Sequence, residues 1–183
     1  VAGCAYNTSV KKMKALKTVT IYAQKRGYLL HDPFLNHRFH LEPVNRGFLT
    51  DEEIMKIANK DFGIQRLELV RDVFIFSCFT GLAITDMEHL MFGHIKSAAD
   101  GQIYIRKERQ KTKVEFIVPL HPIAEAIINY YRKEQARNEE QQMVKEKGDS
   151  LVFQSHCSRS VMGKNLSIVG KACGIRQRLS YHM

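Results

Sequence analysis

Leu67-Glu68-Leu69-Val70-Arg71-Asp72-Val73-Phe74-Ile75-Phe76-Ser77-Cys78-Phe79, followed by Thr80-Gly81, sets the architecture of this 183-residue chain. Leu67, Val70, Val73 and Phe74, then Ser77 and Cys78, keep helical spacing, and the last two turns are apolar on nearly every side. Such a helix belongs in the middle of a domain with other elements packed around it. Its apolar run has core length and falls far short of the ~20 residues of a membrane span. Thr80-Gly81 stops the helix, and Thr85 caps a short one through Leu90.

Upstream, Thr50-Asp51-Glu52-Glu53 is a capping box that starts a helix ending near Phe62-Gly63. Asp32-Pro33, Asn36, Pro43 and Asn45-Arg46-Gly47 are loop signals. They mark residues 31–47 as a linker. Before it, residues 7–27 read as one helix, capped by Asn7, Thr8 or Ser9 and closed by Gly27. Val10, Met13, Leu16, Val19 and Tyr22 form its apolar stripe. Lys11, Lys14, Lys17 and Lys25 fall away from that stripe, as a solvated face or a phosphate-contacting one.

Downstream, the period changes. His94-Ile95, residues 102–105 and residues 114–118 read as three short strands, with Asp100-Gly101 turning between the first two. Lys107 to Lys113 form the exposed turn between the second and third. Pro119 and Pro122 end the sheet and open a helix through about Arg137, with a polar continuation to Lys147 that reads as frayed helix or loop. A last helix spans residues 160–173, closed by Gly174. Ser180-Tyr181-His182-Met183 reads as the first turn of another helix, so the chain is expected to be a fragment lacking a C-terminal part. The expected fold is mainly α with a small three-stranded antiparallel sheet.

Composition narrows the function. Hydrophobic residues make up 44% and charged residues 26%, an ordinary globular balance. The net charge is +9, distributed as +6 over residues 1–50, −4 over 51–100, +2 over 101–150 and +5 over 151–183. A basic excess at both ends and in one central run points to a polyanionic partner. Lysines crowd the N-terminal region where a secretory signal needs an apolar stretch. Cysteines at 4, 78, 157 and 173 form no C-x-x-C pair, the pattern of a reduced, cytoplasmic protein. His31, His37 and His40 lack companion ligands, so neither a metal nor a cofactor is expected. No phosphate-binding Gly loop, dinucleotide fingerprint or Gly-x-Ser-x-Gly elbow occurs.

The order helix, helix, Thr80-Gly81-Leu82, three strands with a basic turn, Val118-Pro119-Leu120, two helices and Leu179-Ser180-Tyr181-His182 resembles the tyrosine recombinase (phage integrase) family. The likeness is greatest to integrases of conjugative transposons. The resemblance implies a tyrosine-recombinase catalytic domain over residues 48–183, preceded by the last helix of a core-binding domain over residues 1–30. It implies DNA cleavage and rejoining through a 3′-phosphotyrosine, without metal, to integrate a mobile element. Lys111, seven residues before Val118, matches the hairpin lysine that protonates the departing 5′ oxygen. His182 matches the first residue of the His-x-x-Arg box, whose arginine falls beyond Met183.

Two departures stand out. Ala83 occupies the position of the first catalytic arginine in Thr-Gly-Leu-Arg; Arg71 is the candidate replacement, or else an ion-pair partner of Glu68, Asp72 or Glu88. None of the seven tyrosines is placed as the nucleophile, so the stretch by itself is expected to be inactive. The implied partner is double-stranded DNA, clamped between residues 1–30 and 106–113, with Lys11, Lys14, Lys17, Lys25, Arg106, Lys107, Arg109 and Lys113 as phosphate contacts. The resemblance implies a homotetramer on DNA for the intact enzyme, a monomeric fragment, no membrane association, and location in the bacterial cytoplasm on the nucleoid. The competing expectation is a helical DNA-binding regulator without chemistry. A metal-dependent nuclease is a third class, but its only acidic cluster, Asp51-Glu52-Glu53, is explained by a helix start.

Overall fold

The computed structural model describes residues 3–44, 47–139, 150–153 and 159–181. The chain divides into two compact units, Val1–Arg46 and Gly47–Met183.

In the first unit, α1 spans Tyr6–Lys25. It starts from Ala5, without a side-chain cap, rather than from Asn7, Thr8 or Ser9. Asn7 lies inside the helix and has another task. Its Nδ2 donates to the Glu42 carbonyl and its Oδ1 accepts the Glu42 N–H, both at 2.9 Å. Lys17 Nζ donates to the Phe34 carbonyl at 3.3 Å. The segment read as a linker therefore folds back along α1. Val10 and Phe34 are buried, whereas Met13, Leu16, Val19 and Tyr22 are exposed within this unit. One helix and one returning loop cannot cover the whole stripe.

The second unit is built around α3, Gln65–Thr80, which buries Leu67, Val70, Val73, Phe74, Ile75 and Phe76 on all sides. Its lack of a polar face is the physical reason it becomes the hub. α2 (Asp51–Ala58), α4 (Ile84–Glu88), α5 (Pro122–Glu139) and α6 (Arg159–Ala172) pack against it. The capping box at α2 is present in full: Glu53 N–H donates to Thr50 Oγ1 at 3.2 Å and Thr50 N–H to Glu53 Oε2 at 3.0 Å. Ala83, not Thr85, occupies the N-cap of α4.

A three-stranded antiparallel sheet in the order β1-β2-β3 follows: Ile95–Ser97, Ile103–Glu108 and Glu115–Pro119. Ile105 opposes Ile95 on one neighbour and Val118 on the other, and is fully buried. β2 runs three residues further than its apolar run suggests, so Lys107 and Glu108 belong to the strand and the turn begins at Arg109. Arg109 N–H donates to the Val114 carbonyl and Lys113 N–H to the Arg109 carbonyl, each at 2.9 Å, with Lys113 at φ 56°. The proposed continuation of α5 to Lys147, Cys157, and the Asn45-Arg46 turn signal lie outside the described residues.

Candidate functional site

Two chain segments far apart in sequence line a cleft at Ala83, and a third is tied to Asp86 on the helix that follows. The first is the turn from α3 into α4. Thr80 Oγ1 donates back to the Phe76 carbonyl at 2.7 Å, and Gly81 takes φ 65°, which a residue with Cβ adopts only under strain. The chain is thereby turned out of the core, and Ala83 is left exposed. The second segment follows α6. Gln177 Nε2 donates to the Phe48 carbonyl at 2.6 Å, and the Tyr181 ring packs edge-on against Phe74, centroids 5.9 Å apart. Phe48, Cys78, Gly81, Ala83 and Ser180-Tyr181 line one cleft of about 430 Å³. Cys78 is exposed along this cleft.

The third segment is the β2–β3 hairpin. Gln110 N–H donates at 2.9 Å to Oδ1 of Asp86, a carboxylate only 3% exposed. Asp86 lies one helical turn after Ala83, whose carbonyl accepts the Asp86 N–H at 2.9 Å. Lys111 is the next residue on the hairpin and is exposed. Asp86 was not singled out from the sequence, where it reads as an ordinary first-turn carboxylate of α4. Its burial and its partner are tertiary facts.

The other basic residues divide. Lys107 corrects the expectation of an exposed phosphate contact. It continues the inward-facing series Ile103, Ile105 on β2, is 7% exposed, and donates its ammonium to the His89 carbonyl at the end of α4. Burial lowers its pKa below the ordinary lysine value, and Asp86 partly offsets this. The missed signal was the strand alternation, which reaches Lys107 at period two. Arg106 faces outward in a bidentate pair with Glu115, Nε to Oε1 at 2.8 Å and Nη2 to Oε2 at 3.2 Å. The Arg109 guanidinium lies over the Phe116 ring, 5.4 Å from its centroid. Lys113 is exposed at the tip. On α1, Lys11, Lys14 and Lys25 are exposed and fall within roughly 60° of helical arc at ~100° per residue. Lys17 is half-buried and turned to Asp32, 3.9 Å away, and to Phe34.

Arg71 lies elsewhere. It pairs with Glu68, its Nε donates to Asp72 Oδ1 at 2.8 Å, and its Nη1 donates to the Lys60 carbonyl at 2.7 Å. Burial opposes its charge, but Asp72 and Glu68 outweigh that and hold its pKa above the ordinary arginine value. It borders a second cleft, of about 320 Å³, together with Asp72, Asn59 and Tyr130. Ala83 does not line that cleft. Tyr131 donates to the other Asp72 oxygen at 2.9 Å, and burial, then Asp72, raise its pKa strongly. His182 lies outside the described residues; the segment leading to it ends at the Ala83 cleft. Among the described residues no cluster of His, Cys, Asp or Glu has the arrangement of a metal site, and no helix is long and apolar enough to cross a membrane.

No family model and no curated protein matches the chain. Solved structures do. The XerH site-specific recombinase bound to difH substrate, in a pre-cleavage complex, superposes with a TM-score of 0.63 at 18% identity over 99% of this chain and 53% of that chain. XerA recombinase gives 0.53 at 14% identity, covering 95% of this chain and 58% of that one. A post-cleavage complex of XerH on palindromic difH gives 0.51 at 18%, covering 75% and 39%. The chain thus spans little more than half the length of the first two recombinases. Its mainly helical fold with one three-stranded antiparallel sheet is that of the tyrosine-recombinase catalytic domain.

Proposed function

We propose that this chain is the catalytic region of a site-specific DNA recombinase of the tyrosine type, carried by a mobile element and serving its integration. The observation that carries the reading is the anchorage of the Lys111 hairpin, through Gln110 N–H, to Asp86, one turn from Ala83 and its cleft. The fold shared with recombinases solved on DNA supports it.

In the proposed reaction a tyrosine oxygen attacks phosphorus and the bond to the 5′ oxygen breaks. The Lys111 ammonium gives its proton to that departing oxygen, and His182 orients the phosphate. Cationic side chains stabilise the charge that spreads over the non-bridging oxygens. Tyr131 is occupied by Asp72 and Tyr130 donates to Glu134 at 3.1 Å, so neither is poised as the nucleophile. The stretch by itself is then expected not to cleave DNA. Lys11, Lys14, Lys25, Arg109 and Lys113 supply backbone contacts to duplex DNA, giving sequence-independent, salt-sensitive affinity. The intact enzyme assembles as a tetramer on DNA; this stretch alone stays monomeric.

The test is Lys111→Ala in the full-length protein. Strand cleavage falls by about 10²-fold or more, as for loss of a general acid, while DNA binding stays within a few-fold. The second reading, a DNA-binding regulator without chemistry, is favoured by Ala83 in place of an arginine. It prevails if the full-length protein binds DNA but never cleaves it.

A further inference from the structure

Lys107 is a buried cation that the proposed chemistry does not use. It leaves β2 on the inward face and donates to the His89 carbonyl. Three residues on, Gln110 N–H is held by Asp86, three residues before His89. The hairpin is therefore fastened to α4 at two points, 107 to 89 and 110 to 86. One attachment would leave the tip free to swivel; two define its position and its direction. The same pair also answers an electrostatic need. Asp86 is buried, and its attraction for the Lys107 ammonium partly offsets the cost of burying that cation. His94, on the 3₁₀ turn Phe92–His94, is a further titratable group near Lys107; its Nδ1 accepts the Met91 N–H, and burial and Lys107 lower its pKa.

We infer that Lys107 is a positioning residue: with Asp86 it clamps the β2–β3 hairpin onto α4 so that Lys111 is presented beside the Ala83 turn. The inference rests on the reading of Lys111 as general acid, and two measurements keep the two apart.

The first is amide hydrogen exchange on this chain. In Lys107→Met the Gln110 amide loses protection by about tenfold or more, while amides of α3 exchange as before. Unchanged protection at Gln110 overturns the clamp, whatever Lys111 does. Should the Met variant fail to fold, Lys107→Gln, which retains a donor toward His89, takes its place and shows a smaller loss. The second is single-turnover cleavage by the full-length protein on an ordinary phosphodiester and on one whose 5′-bridging oxygen is sulfur, a leaving group that needs no proton. Lys107→Met slows the ordinary substrate by about tenfold or more but the sulfur substrate by less than about threefold, with DNA affinity unchanged. An equal deficit on both substrates, or none on either, overturns the positioning role. Lys111→Ala is the control: if sulfur does not rescue it, the general-acid reading has failed, and the exchange result still decides the clamp.

Discussion

Gln110 and Asp86, 24 residues apart in sequence, are joined by a 2.9 Å hydrogen bond from a backbone N–H to a carboxylate with 3% exposure. The bond couples the tip of a surface hairpin to a short helix whose N-cap is the exposed Ala83. Asp86→Ala removes the acceptor of Gln110 and the compensating charge of Lys107 together. The expected destabilisation is about 2 kcal/mol, from one unsatisfied donor and one uncompensated buried cation, measured by urea unfolding. Lys107→Met in that background costs less than in wild type, because the cation it removes has already lost its counter-charge.

Ala83→Arg restores a guanidinium at the mouth of the cleft. Ala83 is exposed, so stability stays within about 0.5 kcal/mol of wild type. DNA affinity rises, and the slope of log affinity against log salt steepens by about one unit, as expected for one added phosphate contact. Titration at three salt concentrations measures it. An unchanged slope means that the cleft does not face the DNA backbone.

Arg71→Ala separates structural from catalytic use of that arginine. It strips Glu68, Asp72 and the Lys60 carbonyl of their shared partner. The expected cost is about 2–3 kcal/mol of stability. Below its lowered melting temperature the variant binds DNA with unchanged affinity and, in the full-length protein, retains cleavage. A stable variant that has lost cleavage reverses this assignment.

Helix α3, the Thr50 capping box and the paired strands were all legible in the sequence. Each rests on contacts within a few residues: an i to i+3 cap, a 3.6-residue apolar period, a Gly turn. Where the sequence reading failed locally, the reason was equally local. Asn7 resembles a cap, yet it serves Glu42 across 35 residues, and Ala5 starts the helix instead. The strand reading stopped when the apolar run stopped, which hid that Lys107 continues the inward face.

The sequence by itself determined the order of elements, the buried central helix and the placement of Lys111 on a hairpin next to Val-Pro-Leu, because hydrogen-bond periodicity and turn chemistry are written in neighbouring residues. Only the tertiary structure decided the fate of each charge. Arg71 pairs with Glu68 and Asp72, Lys107 turns inward, and Asp86 becomes a hairpin anchor, since what a cation or carboxylate does depends on which distant backbone group packing carries within reach of it.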